Sequence, residues 1–180
     1  MIGLGQVPLL VLALTMLMIM QMSINASILS ESISSLENEA TLEATTLGNL
    51  MIGEIRTKAY DNATRSNMIY NRSQLTPVFS LGPDVLDTTI TNEVVPVSQT
   101  VFLSQQKYND IDDYNGYVRT VQTQNLSDFT IQDSVCYVQE ANPEVVSPTP
   151  TWYKMIIVTV SHKNMSTPLV LKSVVVYTRS

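Results

Sequence analysis

The chain has 180 residues, a net charge of −6 and a pI near 4.6, the wrong sign for a nucleic-acid binder, which needs a basic stripe against phosphates. Its single cysteine, Cys136, and single histidine, His162, exclude an intramolecular disulfide and a thiolate metal cluster, and leave almost no nucleophile–base constellation. The six glycines form neither G-x-G-x-x-G nor a P-loop, so no catalytic residue is assigned and an enzyme is not expected.

The first element is residues 4–24, "LGQVPLLVLALTMLMIMQMSI", which carries no charged side chain; the first Lys or Arg of the whole chain is Arg56. Leaving such side chains in water costs about 1.5–3 kcal/mol each, so the segment must be covered. Met16, Met18, Met20 and Met22 step by two residues and therefore occupy all sides of a helix. A helix apolar all round lies in lipid or inside a protein mass. Pro8 falls in the first turn, where its missing N–H has no intrahelical partner. Three environments compete. A secretory signal wants a basic start and a small-residue cleavage site, for which only "SINAS" qualifies. A permanent anchor wants about 20 apolar residues, which are present, and a basic cytoplasmic flank, which is not. The third is a helix held in a membrane for a time and then packed among copies of itself.

The helical pattern continues. Ile28, Ile33, Leu36, Ala40, Ala44, Leu47, Met51, Ile55 and Ala59 recur mostly at spacings of three to five and predict one apolar stripe of an amphipathic helix. Acids come early and Arg56 and Lys58 last, as the helix dipole favours. Some 50 residues of helix span roughly 78 Å, so the first half is expected to project from any globular part. The six serines within residues 23–35 predict a bend or a loosened turn there. "DNA", Asp61 to Ala63, reads as a stop. This divides the chain into residues 1–59, a long helix, and residues 60–180, a β-rich head.

The head holds seven of the eight prolines and Val/Thr-rich runs. "YVRTVQT", "DFTIQDSVCYVQ", "WYKMIIVTVSH" and "PLVLKSVVVYT" read as strands, the last two joined by a hairpin-length loop. Phe129, Ile131, Val135 and Tyr137 alternate with polar positions, as for a sheet with one wet face. Cys136 reads as a small core hydrophobe and His162 as a solvated hairpin position. The expected fold is α+β: a long N-terminal helix, apolar and then amphipathic, packed on a C-terminal antiparallel sheet.

"YNDIDDYNGYVR" is rich in side-chain oxygens. Asp110, Asp112, Asp113 and Asn115, with Asn109, precede Gly116. Such a turn suits Ca²⁺, which takes six to eight oxygens, although the spacing is not that of an EF-hand. More simply, Asx side chains bond their own backbone in turns. Both readings stand; no other cofactor is expected. N-x-S/T sequons occur at Asn25, Asn62, Asn71, Asn125 and Asn164, of which Asn125 and Asn164 fall in predicted turns and are the better glycan acceptors.

The whole plan resembles the type IV pilins and the related pseudopilins of type II secretion. "ATTLGNLMIGEIRTKAYD" is similar to the helix end of minor pilins and pseudopilins, and "WYKMIIVTVSHK…LKSVVVYTR" to their closing hairpin. Met1 and Ile2 stand before Gly3, where the family usually has a basic leader ending in glycine; Gln6 would stand fifth, where the family usually has glutamate, if Met1 were removed. The resemblance implies a structural subunit that enters the cytoplasmic membrane transiently, is drawn out by inner-membrane assembly machinery, and forms a helical homopolymer at the cell surface. It also implies that Gln6, Val7, Pro8, Leu10, Leu14, Leu17, Met18 and Met22 form the polymerisation core. The alternative is a membrane-anchored minor pilin or pseudopilin, or a single-pass surface protein outside the bulk of any filament.

Overall fold

A computed structural model describes residues 6–84, 90, 92–99 and 101–178. It divides into two compact units, Met1–Glu39 and Ala40–Ser180. Helix α1, Gln6–Arg56, contributes to both. In the first unit its helical bonding runs unbroken through residues 23–35, so the loosened turn expected there does not form. Serine costs only a few tenths of a kcal/mol in a helix interior, and the interleaved Ile, Leu and Glu absorb that.

The second unit is α+β, as the sequence pattern predicts. Its elements are α1 from residue 40, β1 (Glu93–Val95), α2 (Leu103–Lys107), β2 (Val118–Gln122), β3 (Asp128–Tyr137), β4 (Tyr153–Ser161) and β5 (Leu169–Val176). The five strands lie in the order β1-β2-β3-β4-β5. Strands β2 to β5 are antiparallel neighbours, in the four places read from the sequence. The parallel strand β1 went unread, because three residues before Pro96 are too short to show alternation.

The predicted helix stripe is half right. Ala40, Ala44, Met51 and Ile55 are fully buried against Phe129, Ile131 and Val135 of β3 and Ile156, Val158 and Val160 of β4. Ile28, Ile33 and Leu36 are exposed instead. Gly48 sits where the helix meets the sheet most closely: a Cβ there would lie 2.7 Å from Leu171 Cδ1 and 3.3 Å from Val160 Cγ2. A mid-helix glycine costs about 1 kcal/mol of helix propensity, and the close approach explains its presence.

Candidate functional site

Two features stand out: the bare apolar stretch of α1, and an acidic turn beside the end of that helix. In residues 7–22 the twelve large apolar side chains are 53–73% exposed, and none is covered by the chain itself. Pro8 is accommodated in the first turn, as expected, and the side chain of Gln6 lies outside the described residues. Thr15 returns its hydroxyl to Leu12 O at 2.9 Å. By length and composition α1 is able to cross a membrane. Covering each of these side chains contributes about 1–2 kcal/mol, so the stretch as a whole supplies more than ~10 kcal/mol to whatever buries it.

The other end of α1 is fixed by buried charge. Arg119 Nη2 donates to Glu54 Oε1 at 2.8 Å and Oε2 at 2.9 Å, and lies 2.6 Å from Ser104 Oγ. The Tyr114 hydroxyl donates to Glu54 at 2.9 Å, and that of Tyr117 to Glu93. Burial is the largest influence on Arg119 and opposes its charge, but Glu54 and Tyr117 together outweigh it and the pKa lies above its ordinary value. Lys58 Nζ donates to Gln105 O and Tyr108 O at 2.8 and 2.7 Å. Deeper in, Lys154 is fully buried and reaches Tyr60 O at 2.8 Å, Asp61 Oδ2 at 3.1 Å and Asp112 Oδ1 at 2.6 Å. Burial works against the Asp61 carboxylate, yet Lys154 and the N–H groups of Thr76 and Ala63 hold its pKa below the ordinary value. Removing one partner of such a buried pair strands the other, so these groups fix the helix end in one position.

The acidic turn is built on three tyrosines packed edge to face, Tyr108, Tyr114 and Tyr117, with ring centroids 4.9–5.7 Å apart. Gly116, at φ +84°, turns the chain into β2. The four residues read together from the sequence do not share one job. Asp112 faces Lys154. Asn115 is a clamp: its Nδ2 donates to Leu81 O and its Oδ1 accepts from Val135 N, both at 3.0 Å. Both are thereby drawn into structural bonds. Asp113 Oδ2 accepts from the N–H of Asn109 and of Asp110, at 2.7 and 3.1 Å, so an acidic side chain of the turn bonds the turn's own backbone. Asp110 and Asp113 do converge, and their third neighbour is Asp84, from a segment outside the acidic turn. Burial, then the neighbouring Asp112 and Asp113, push the Asp110 carboxyl up to about 9.

Elsewhere, Asn125 is exposed in the turn before β3, and Asn164 is half-buried in the turn after β4, where its N–H donates to His162 Nδ1 at 3.2 Å. His162 is not solvated. It is 7% exposed and stacks on Phe129 at 4.3 Å between centroids. Cys136 is half-buried, on the opposite face of β3 from the core residues Val135 and Tyr137. An open groove of about 570 Å³ runs past Leu50, Gly53, Phe102 and Val121, with the mutually satisfied Arg119–Glu54 pair in its lining.

Fold and site together define an α+β protein with a membrane-competent helix joined to a sheet-backed core. Comparison with protein-family models, with curated proteins and with solved structures gives no match.

Proposed function

We propose that this chain is a structural subunit of a type IV pilus-like helical filament. It waits in the cytoplasmic membrane through α1, is extracted by inner-membrane assembly machinery, and polymerises at the cell surface with residues 7–22 buried among copies of themselves. The observation that carries this reading is the character of that stretch: long, helical, apolar on every side, more than half exposed and without a charged side chain. A helix that ends among its own copies gains from having no charge, because burying an unpaired ion costs several kcal/mol. Leu42 and Leu50, 72% and 65% exposed on the later part of α1, add apolar surface for the same contacts. The resemblance of the chain plan to pilins supports the reading; so does a helix end pinned by two buried ion-pair networks, as a load-transmitting joint requires.

The test is Leu14→Lys against Gln124→Lys, an exposed turn position. In a filament core the lysine would be unpaired in every subunit, at several kcal/mol each. In a lone anchor it would cost only about 2.5–3.5 kcal/mol and leave the protein in the membrane. Fibres sheared from cells, examined by negative-stain microscopy and mass spectrometry, should contain this chain and vanish in Leu14→Lys while membrane protein persists. Normal fibres from Leu14→Lys would sink the helical-core reading. A chain found only in the membrane fraction, never in fibres, would favour the single-pass anchor.

A further inference from the structure

We propose that β5 is a pairing edge through which two copies of this chain join, strand against strand, antiparallel about Ser173. In the strand order β5 stands last, so one of its sides meets no neighbouring strand among the described residues. The bonding pattern says which groups lie on that side. Tyr177 N donates to Trp152 O at 2.9 Å, and bonded pairs alternate along an antiparallel ladder. In the register that runs from Tyr153↔Val176 to Val160↔Leu169, it is therefore Leu169, Leu171, Ser173 and Val175 that bond β4. The N–H and C=O groups of Val170, Lys172, Val174 and Val176 point away from it.

This edge lacks what shields most edges. Exposed strand edges are ordinarily kept short, or blunted by proline, a bulge or a charge. The opposite edge of the sheet follows that rule: β1 has three residues and meets Pro96. Strand β5 has eight residues, pairs with β4 without a bulge, contains no proline and is built mainly of Val and Leu. Its one charge, Lys172, is held by Glu144 at 3.3 Å. Even its core-facing side chains Leu169, Leu171 and Val175 are only half-buried, so the cover over the core thins at this margin.

The occupant that fits is a second copy. A chain of net charge −6 repels its copies, and β5 with Glu144 is a locally neutral edge at which that repulsion is least. Antiparallel pairing about Ser173 uses all four outward residues: Val170 meets Val176 and Lys172 meets Val174, with about eight backbone hydrogen bonds in all. Sliding one copy by a single pleat sets Lys172 against the copy's Lys172 in one direction, which like charges oppose, and leaves Val170 beyond the end of the strand in the other. The strand is thus self-complementary in one register. A two-fold axis through Ser173 turns the sheet-packed parts of the two α1 helices in opposite directions. The contact therefore goes beyond the filament reading: it joins free subunits or subunits of separate filaments, not neighbours within one helical array.

The experiment uses the full chain in nonionic detergent, carrying Cys136→Ser and Ser173→Cys, under mild oxidation. Position 173 faces its own copy at a non-hydrogen-bonded pair, where Cα atoms stand about 4.5 Å apart, within disulfide reach. A disulfide-linked dimer should form faster than in a Cys136→Ser chain with Gln124→Cys, in the exposed turn before β3. Adding Val174→Pro should abolish the cross-link and keep the near-UV circular dichroism of the tyrosine cluster, because the N–H it removes points away from β4. Val174→Lys leaves the backbone unaltered and sets a lysine opposite the copy's Lys172; it should slow the cross-link, and it carries the test if the proline variant fails to fold. A Ser173→Cys cross-link no faster than that of Gln124→Cys would overturn the proposal. So would one that persists at full rate in either Val174 variant that keeps the near-UV spectrum, which would mark chance collision within the micelle.

Discussion

Asp133 offers a sharp test of how charge is handled in this core. It lies on the buried face of β3 between Ile131 and Val135, is 1% exposed, and neither carboxylate oxygen has a hydrogen-bond partner. The charged groups acting on it are Arg119 of β2 and Glu54 of α1, with opposite effects. Burial dominates and raises its pKa well above the ordinary value. The folded state therefore keeps a proton that the unfolded chain releases near pH 4. The stabilisation from that proton is fully present below about pH 4. It is lost as pH rises towards the folded pKa, at about 1.4 kcal/mol per pH unit within that window. Asp133→Asn has the shape of the protonated acid and does not titrate. It should match the unaltered protein near pH 4 and exceed its stability at pH 7, the gap widening at that slope. Urea unfolding of the full chain in nonionic detergent, followed by Trp152 fluorescence from pH 4 to 8, measures this. Asp110 also carries a raised pKa, but it is common to both proteins, so the difference isolates Asp133. A variant weaker by a constant amount at every pH would refute the reasoning and mean that the carboxylate is charged and compensated.

Two further outcomes probe the joint between helix and sheet. Lys154→Met should cost about 3–5 kcal/mol, read as a lowered Tm, because it leaves Asp61 and Asp112 buried without their cation; adding Asp61→Asn and Asp112→Asn should restore much of the loss. Gly48→Ala should change stability by less than about 1 kcal/mol, since the Leu171 side-chain end can rotate away and helix propensity improves, whereas Gly48→Leu should overpack the interface and cost about 1–3 kcal/mol by denaturant titration.

What the sequence made legible follows from the range of the signals. The four long strands and the helix were readable because period-2 and period-3.6 patterns are local. Where the helix stripe enters the core was not: Leu36 and Ala40 look alike in periodicity, and only the position of the sheet decides that burial begins at Ala40. The buried pairs were invisible for the same reason. Glu54 and Arg119 stand 65 positions apart and read as ordinary surface charges. Lys154 in "WYKMIIV" carried a hint, a charge on the inward-facing register of a strand whose other inward residues are Ile and Val. Asp133 carried the same hint in β3. In the acidic turn, composition located the cluster but could not separate Asp112, drawn to Lys154, from Asp113, nor supply Asp84.

The filament reading also has to say what drives a subunit out of lipid, and residues 7–22 cannot do it alone. Lipid tails are as apolar as leucine, so moving that stretch from membrane to bundle gains no hydrophobic free energy; closer packing is what remains. Its polar groups add little: Thr15 is satisfied within its own helix, and neither it nor Gln21 bears a charge. Its methionines, flexible and polarisable, suit both a fluid and a packed surrounding. Leu42 and Leu50 are different. They belong to the sheet-backed unit, and on this reading they stay in water until copies meet. Each then gains about 1–2 kcal/mol from burial that lipid has not already provided. The apolar stretch would thus make residence in membrane and in filament nearly equal in free energy, and the exposed leucines beyond it would tip the balance towards assembly.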